Sequence, residues 1–405
     1  MRLRGRKITG LLGLAALAVL LVSCPGAEAA APEIVLGEIN PLTGALAKHG
    51  LEIHQGISLA VAEVNARGGL AGRRVKLLSR DDQSRPEIAL NQAQDLITRE
   101  RVAGLVGGYV DTLVGPISEM AARHRVPYVA SASLQAALTR KRHNPYFFRI
   151  SKLEGILTPV CRLVGEVLRP TRAALIYMAT PGSLEFADGV RECLIRQGIQ
   201  VPVQEKFRPG APDFSMALLK VRMTGCEMLI SGGFYPDNLL LARQIREQRL
   251  PLQAVLAPWG AAYPSFIEEL GELSEGLLGT CAWNPGITHP GTEEASEEFV
   301  RAFEARFRQT PTSTAMHGYA SARVLLAALE QALARHPEPT GEQVAEELRR
   351  LDLTLPLGRV RFDAYGDPLN YSHVVVQIHK GRLVPVFPPE RAKAAVITPL
   401  PAPER

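Results

Sequence analysis

The sequence predicts an α/β protein made of two doubly wound domains, and three observations support this prediction. Short apolar segments rich in β-branched residues alternate with segments of helical period from residue 34 to about residue 282. Three helical segments then follow with no strand between them, so we expect the chain to cross between the domains more than once. The length of 405 residues and the hydrophobic content of 46% suit two domains.

The segment from residue 34 to residue 83 forms the first β-loop-α-β unit. Ile34–Ile39 is an apolar strand, and Asn40–Gly44 has turn-forming residues at nearly every position. The next segment has apolar residues mostly three or four apart as far as Val64, which predicts a helix, and Gly68 ends it. A second strand begins at Val75. The loop after the first strand lies at a strand's carboxyl end, where open α/β sheets bind ligands.

The remaining elements follow in the same alternation until the pattern changes. The predicted helices are 88–99, 113–124, 155–168, 186–197, 214–223, 239–248, 293–308, 314–335 and 340–351. The predicted strands are 102–106, 126–130, 172–177, 201–207, 227–231, 253–257, 276–282, 360–362 and 372–379. Residues 388–405 carry five prolines and few bulky groups, which predicts a disordered tail.

The amino terminus has the composition of an export signal. Four basic residues between Arg2 and Lys7 precede a 15-residue apolar core, Ile8–Val22, which is short for a membrane span and suits a signal peptide over residues 1–23. The sequence LVSC ending at Cys24 looks like a bacterial lipobox, which would make Cys24 the lipid-bearing first residue of the mature protein. The alternative is ordinary cleavage after Ala29, at the end of an A-x-A pattern. Either reading predicts export.

The charge belongs largely to that signal segment. The whole chain has 46 basic and 41 acidic residues, a balance of +5. Residues 1–23 contain four of the basic residues and none of the acidic ones, so their removal leaves a balance of +1. A chain so nearly neutral has no electrostatic case for binding nucleic acid.

Motifs for metals, cofactors and catalysis do not reach their usual patterns. His49, Glu52 and His54 lie close together but fit no zinc spacing, and the cysteines form no C-x-x-C pair. The sequence GLVGG at 104–108 is not G-x-G-x-x-G, and no G-x-S-x-G elbow is present. We therefore expect a protein that is not an enzyme and binds no cofactor. Cys161 and Cys193 lie on predicted helices of one domain and either pair or remain buried thiols.

Six short motifs follow one another along the chain: GEINPLTG (37–44), NARGGLAG (65–72), DD (81–82), VP (126–127), SGGFYP (231–236) and GLL (276–278). In order and spacing they resemble the leucine and branched-chain amino-acid-binding proteins of bacterial ABC transporters, over about residues 33–387. The resemblance implies a type I periplasmic binding fold, or Venus flytrap, in which two Rossmann-like lobes joined by three crossing segments close on a small-molecule solute. The closed form is then expected to dock on a membrane permease.

The same resemblance sets expected boundaries. Lobe 1 is residues 33–150 and 285–357, and lobe 2 is residues 151–284 and 358–387. The crossings are expected near Arg149–Leu153, Ala282–Pro285 and Leu357–Phe362. The implied partners are the permease and ATPase subunits, and the protein is expected to be a monomer in the periplasm or on the extracytoplasmic face, anchored to the membrane through Cys24. A ligand-sensing receptor of the same fold is the alternative function.

Candidate ligand contacts lie on loops at the carboxyl ends of strands, where helix amino termini offer free N–H groups. In lobe 1 they are Thr43, His49, Tyr109, Asp111, Thr112, Ser131 and Ser133. In lobe 2 the positions that match the family's contacts to the solute's ammonium and side chain are Phe186, Phe234 and Trp259. Aromatic walls suit an apolar solute or a cation over a ring face.

Three departures from the family pattern bear on the solute. Asp111 stands where the family has a carboxylate-binding serine, Leu134 replaces a threonine, and Trp259 replaces the acid that pairs with the ammonium. A carboxylate next to Asp111 is unfavourable, so Asp111 either caps the following helix or receives a donor group, and Thr112 takes the serine's place if the loop shifts. An aromatic, less polar or amide-like solute is therefore expected in place of leucine, isoleucine or valine.

Overall fold

Two sheets of unequal width organise the chain, one in each lobe. The computed structural model describes residues 32–141 and 143–402. The predicted signal peptide and Cys24 lie outside the described residues. Apolar clusters cover both faces of each sheet and join it to helices on either side, which is the doubly wound arrangement that the sequence predicts.

Lobe 1 begins with five parallel strands in the order β2-β1-β3-β4-β5. The strand order changes direction between β1 and β3, so the loops that follow these two strands open a crevice at the carboxyl edge. The strands are β1 (Ile34–Asn40), β2 (Val75–Asp81), β3 (Gly104–Tyr109), β4 (Tyr128–Ala132) and β5 (Phe147–Arg149), and the helices are α1 (Ala47–Ala66), α2 (Pro86–Thr98), α3 (Asp111–Arg123) and α4 (Ala137–Arg140).

Lobe 2 repeats this alternation from residue 154 onward. Its first five strands are β6 (Arg172–Met178), β7 (Gln200–Phe207), β8 (Met228–Gly232), β9 (Ala254–Leu256) and β10 (Leu278–Cys281), and they pair in parallel. Its helices are α5 (Glu154–Leu163, continued by a π-helical turn over Val164–Leu168), α6 (Pro181–Arg196), α7 (Ser215–Met223), α8 (Tyr235–Glu247) and α9 (Pro264–Leu270, followed by a 3₁₀ turn over Gly271–Ser274).

The chain then returns to lobe 1 and ends in lobe 2. Helices α10 (Glu293–Phe307), α11 (Ser313–Arg335) and α12 (Gly341–Arg350) and the hairpin of β11 (Leu353–Leu355) and β12 (Gly358–Val360) follow one another. Strands β13 (Val374–His379) and β14 (Arg382–Phe387) then extend the lobe 2 sheet, whose order is β14-β13-β10-β9-β8-β6-β7. Both are antiparallel additions, with β13 pairing with β10. No predicted element corresponds to α4, β5, α9, β11 or β14.

Helices α1 and α11 are packed backbone to backbone in the core of lobe 1. A Cβ atom on Gly56 of α1 would lie 2.0 Å from the carbonyl oxygen of Ala315, and one on Gly318 of α11 would lie 2.2 Å from that of Ile53. Only glycine permits this approach from either side. The returning helix is thereby fixed against the first βα unit, which brings residues near 313–317 to the carboxyl edge of lobe 1.

The third crossing lies later in the chain than the sequence predicts. Val360 and Phe362 pack into the core of lobe 1, and Asp367 forms a buried ion pair with Arg149 (Nε to Oδ1, 2.6 Å). The chain therefore leaves lobe 1 between Asp367 and Val374, and the expected crossing near 357–362 is wrong. The apolar residues there resemble a strand of lobe 2, but they bury their side chains against lobe 1. The other two crossings occur at 150–153 and 281–283.

The carboxyl-terminal segment corrects another prediction. Residues 388–402, which the sequence predicts to be disordered, lie against lobe 2. The fully buried Gln377 exchanges two hydrogen bonds with the backbone of Ile397 (2.7 and 2.9 Å), and Leu400 packs into a lobe 2 core cluster while its N–H donates to Leu252 O (3.2 Å). The low hydrophobicity of the segment predicts disorder, but backbone hydrogen bonds rather than side-chain burial hold most of it against lobe 2.

The structure also resolves the cysteine alternatives. Cys161 of α5 and Cys193 of α6 form a disulfide with a Cα–Cα distance of 6.1 Å, whereas Cys226 and Cys281 are buried thiols. Within residues 32–141 and 143–402, we find no helix with the length and hydropathy needed to cross a bilayer.

Candidate functional site

A cavity of about 540 Å³ lies between the lobes, where the carboxyl edges of their two sheets face each other. Seven of the ten predicted contact residues line it: His49, Tyr109, Asp111, Thr112, Ser133, Phe234 and Trp259. The lobe 1 wall comes from the loops that follow β3 and β4 and from the first turns of α1 and α11. The lobe 2 wall includes the loops that follow β6, β8 and β9. This is the position that the strand order favours for a ligand in a doubly wound sheet.

His49 and Tyr109 form a stacked pair on the lobe 1 wall. Their ring centroids are 4.6 Å apart, and the planes differ by 28°. Burial, with a smaller contribution from Lys48, lowers the pKa of His49 to about 4, so the imidazole is neutral at physiological pH. Its Nδ1 is enclosed and has no hydrogen-bond partner among the described residues.

Val110 turns the chain sharply between β3 and α3. Its φ of 64° and ψ of 148° are uncommon for a β-branched residue, and such backbone strain costs on the order of 1–3 kcal/mol. Its N–H donates to Ala132 O (3.1 Å), which ties the turn to the end of β4. Strain of this kind is typically retained where it positions functional side chains, and here the residues on both sides, Tyr109 and Asp111, line the cavity.

Asp111 does not cap its own helix. Its Oδ1 accepts hydrogen bonds from Ser133 Oγ (2.9 Å), Leu134 N (2.8 Å) and Gln135 N (2.9 Å), all on the loop after β4. The helix-cap interpretation is therefore wrong, because the carboxylate reaches across to the neighbouring loop. Asp111 holds that loop in place and positions Ser133 in the cavity wall.

The aromatic rings of Phe234 and Trp259 lie side by side in the lobe 2 wall. The Trp259 ring lies between Phe186, at a centroid distance of 4.8 Å, and Phe234, at 5.9 Å. Phe234 also faces Tyr109 of lobe 1 across the cleft, with centroids 6.3 Å apart. The rings enclose the cavity with apolar surface from both sides.

Three predicted contact residues lie away from the cavity. Thr43 is exposed and donates to Asp81 Oδ2 (2.6 Å), which fixes the first loop. Ser131 is fully buried beneath the wall and pairs with Ser321 Oγ (2.7 Å). Phe186 belongs to the lobe 2 core and supports Trp259 from behind.

A chain of hydrogen bonds lines the hinge side of the cavity, and none of its side chains is among the predicted contacts. His317 Nδ1 lies 2.6 Å from Ser313 O, and because a carbonyl only accepts, this nitrogen carries the proton. Burial lowers the pKa of His317, so its Nε2 is unprotonated and accepts from Tyr371 OH (3.0 Å). Tyr371 in turn accepts from His373 Nε2 (2.6 Å), and His373 Nδ1 accepts from Thr280 Oγ1 (3.0 Å).

This chain of neutral groups joins lobe 1, the third crossing and lobe 2. Its members come from α11, the third crossing and β10, and all four side chains line the cavity. Tyr263 is also absent from the predicted contacts. It follows β9 and precedes a helix-starting proline, so its position at a strand's carboxyl end was a usable signal. Neither His317, inside a helix, nor Tyr371, on the crossing, carries such a signal.

Contacts between the lobes enclose the cavity on opposite sides. Lys48 Nζ of lobe 1 donates to Ser265 Oγ of lobe 2 (3.1 Å), and Tyr263 OH lies 2.9 Å from Thr314 Oγ1. On the other side Ala136 N donates to the carboxylate of Glu185 (3.1 and 3.2 Å). The lobes are therefore closed on the cavity.

The lining carries little charge. Among the described residues no lysine or arginine lines the cavity, and the acidic side chains in its wall are Asp111 and Asp237. Asp237 Oδ2 accepts from Phe234 N (3.0 Å) at the start of α8. The same part of the chain contains no group of three or more His, Cys, Asp or Glu side chains arranged to hold a metal ion.

Comparisons with known proteins agree with this geometry. An amino acid binding protein of Pseudomonas aeruginosa is 26% identical over 366 residues, which cover 90% of this chain and 94% of that protein. The crystal structure of a leucine binding protein, LivK, from Thermotoga maritima superposes with a TM-score of 0.77 at 25% identity, covering 86% of this chain and 97% of that one.

A third similar protein is bound to an aromatic acid. The crystal structure of a solute binding protein of an ABC transporter from Rhodopseudomonas palustris, in complex with 3,4-dihydroxybenzoic acid, superposes with a TM-score of 0.76 at 19% identity. The alignment covers 87% of this chain and 95% of that one. The family model described as periplasmic binding protein matches residues 33–382. The chain therefore belongs to the periplasmic binding protein family.

Proposed function

We propose that this chain is the extracytoplasmic solute-binding component of an ABC transporter of the branched-chain amino-acid type. Its lobes capture a small amino acid, an amide or an aromatic or apolar organic solute, and the closed form delivers it to a membrane permease that works with ATPase subunits. The observation that carries this proposal is the enclosed cavity of about 540 Å³, whose walls come from both lobes. A cavity of this size suits a small organic molecule.

The relatives support the mode of action more than the identity of the solute. The similar proteins include one named for leucine and one in complex with an aromatic acid, so this fold accommodates both kinds of solute. In this chain Trp259 and Phe234 line the lobe 2 side of the cavity, which favours an aromatic or apolar solute. The contact residues proposed are the seven predicted side chains in the wall together with Tyr263, Thr280, His317, Tyr371 and His373.

The rest of the proposal concerns the state of the protein. It binds without catalysis, acts as a monomer, and is held at the extracytoplasmic face of the membrane by a lipid on Cys24. Mass spectrometry of the mature protein tests the anchor: a diacylated amino-terminal cysteine supports it, whereas cleavage after Ala29 contradicts it.

The central test measures closure and transport. Mass spectrometry of the purified protein identifies any copurifying solute, and small-angle scattering then compares the solute-free and saturated states. Closure is a shift of population towards the liganded closed state, so the radius of gyration decreases at saturation. Stimulation of ATP hydrolysis by the assembled permease and ATPase subunits on addition of the saturated protein supports the transport role. An unchanged radius together with no stimulation would contradict it.

A further inference from the structure

The charges and hydrogen-bond donors of the cavity point to a narrower class of solute, and this step rests on the proposed function. We propose that the solute is an uncharged aromatic carbonyl compound, of the aromatic amide type. Its carbonyl oxygen accepts a hydrogen bond from His49 Nε2, and its ring lies against Tyr109, Phe234 and Trp259. His49 is thus the residue that selects the polar group.

The lining disfavours a charged solute. A carboxylate would enter next to Asp111 with no lysine or arginine of the described residues to balance it, which costs several kcal/mol when water is excluded. An ammonium would compete with hydrogen bonds that the protein already makes to both carboxylates of the wall. Asp111 Oδ1 already accepts three hydrogen bonds, its Oδ2 faces the backbone of Gly182 so closely that a Cβ there would lie 2.6 Å away, and Asp237 is bonded to Phe234 N.

The environment of His49 decides which of its nitrogens donates. The neutral ring carries one proton, and Nδ1 is enclosed without a partner. A buried N–H without an acceptor is rarer and costlier than a buried lone pair without a donor, so the proton lies on Nε2. Nε2 also has no partner among the described residues, but it is not enclosed, and His49 lines the cavity. His49 therefore offers an N–H donor to the solute.

The remaining walls fit the rest of an aromatic amide. Phe234 and Trp259 on one side and Tyr109 on the other offer ring faces and edges to an aromatic group. The hydroxyls of Thr112 and Thr180, which also line the cavity, are available as acceptors for the amide N–H₂. Tyr263 OH is engaged with Thr314, so it does not compete with His49 for the carbonyl.

Calorimetry with four solutes of matched shape tests the class: 3-phenylpropanamide, 3-phenylpropanoate, 3-phenylpropylamine and L-phenylalanine. The measurements use the full mature protein after removal of copurified solute. We expect the amide to bind at least tenfold more tightly than each of the charged compounds. Tighter binding of any charged compound, or no binding by the amide, would overturn the proposal.

A variant of the selecting residue tests the mechanism. His49→Phe keeps a ring that stacks on Tyr109 but removes the N–H, so it should weaken binding of the amide at least tenfold while the thermal unfolding midpoint is retained. The control is His124→Phe, the same change at an exposed histidine of lobe 1 outside the cavity lining, which should leave the affinity unchanged. Equal affinities of His49→Phe and the unaltered protein would overturn the role of His49.

Failure of the proposed solute class can be distinguished from failure of the proposed transport function. If copurified solute proves to be an aliphatic amino acid that closes the lobes and stimulates the permease, the solute class is wrong and the transport function stands. If the amide binds with the expected selectivity but no solute changes the radius or stimulates the permease, the solute class stands and the transport function is wrong.

Discussion

One buried carboxyl group, that of Asp82, affects the stability of the folded protein when it is ionised. Asp82 is fully buried at the end of β2. Its Oδ1 accepts from Ser84 N (2.8 Å), while its Oδ2 is enclosed with no partner among the described residues. Burial, with a smaller contribution from the neighbouring Asp81, raises the pKa of Asp82 to about 6. A buried carboxylate with one unpaired oxygen destabilises the folded state whenever it is ionised.

The raised pKa of Asp82 predicts a specific dependence of stability on pH. The folded protein keeps this proton up to about pH 6, whereas the unfolded chain releases it near pH 3.8, the usual value for aspartate. The group therefore lowers the free energy of unfolding as pH rises from about 4 to about 6, by about 3 kcal/mol in all. In Asp82→Asn, which keeps the acceptor for Ser84, this loss should be absent. Urea unfolding at a series of pH values measures it.

Asp188→Asn is the matched control, since the side chain of Asp188 is 70% exposed. It should show the pH dependence of the unaltered protein. Identical pH profiles for Asp82→Asn and the unaltered protein would show that Asp82 is not held protonated in the folded state.

At the scale of elements, two connections outside the sheets stabilise lobe 2. The first is the terminal segment, whose backbone hydrogen bonds to Gln377 and Leu252 and whose Leu400 contact close the region next to β13. The second is the disulfide between α5 and α6, which packs these helices against the same face of the sheet. Neither connection contributes a residue to the cavity wall.

Removal of residues 392–405 should therefore lower stability without changing solute binding. Each lost hydrogen bond contributes about 1 kcal/mol, and with the partly buried Leu400 the free energy of unfolding should fall by about 2–4 kcal/mol. Chemical denaturation measures the loss. Leu400→Ala within the full chain should reproduce part of it. A truncated protein as stable as the full chain would mean that the segment is not held against lobe 2 in solution.

Opening the disulfide should have a comparable effect. The bond closes a loop with a sequence separation of 32 residues, for which loss of the constraint on the unfolded chain amounts to about 3.7 kcal/mol. The double variant Cys161→Ser, Cys193→Ser should be destabilised by this amount in urea unfolding. Reducing agent should destabilise the unaltered protein equally and leave the variant unchanged. If reductant leaves the unfolding of the unaltered protein unaffected, the two cysteines are not joined.

For the whole molecule, the balance between open and closed lobes depends on a few contacts across the cleft. The bifurcated hydrogen bond from Ala136 N to the two carboxylate oxygens of Glu185 is one of them, and Glu185 does not line the cavity. A hydrogen bond to a charged group contributes about 1.5–3 kcal/mol, enough to shift a population between two states of similar free energy.

Glu185→Ala should shift the solute-free protein towards the open form. The expected result is a larger radius of gyration in small-angle scattering, with the unfolding free energy within about 1 kcal/mol of the unaltered value. Glu192→Ala on the same helix α6 is the control, because its side chain is 62% exposed and pairs weakly with Arg196. Equal radii for both variants would show that this contact does not favour closure.

Much of this architecture is recoverable from the sequence because it depends on local patterns. Apolar runs and helical periods predict most strands and helices, and turn residues such as Asn40–Gly44 identify the loops at the carboxyl edge. Local patterns do not predict some short elements. Strand β14 is interrupted by Pro385, and helix α9 spans only seven residues. The position of the third crossing is not predicted either, since an apolar residue such as Phe362 indicates burial without indicating which lobe buries it.

The sequence by itself determined the two doubly wound lobes and the carboxyl edge at which their loops meet, because periodicity is encoded by neighbouring residues. Its loops also placed His49, Tyr109, Asp111, Thr112 and Ser133 at that edge, whereas Phe234 and Trp259 were expected from the resemblance to the binding-protein family. Only the tertiary structure decided that Thr43, Ser131 and Phe186 turn away, that Asp111 bonds to the next loop and that His317 and Tyr371 face the cavity. These outcomes depend on how elements far apart in the chain are placed against one another. Local sequence carries no record of that placement, since the free energy that fixes it comes from packing between the elements.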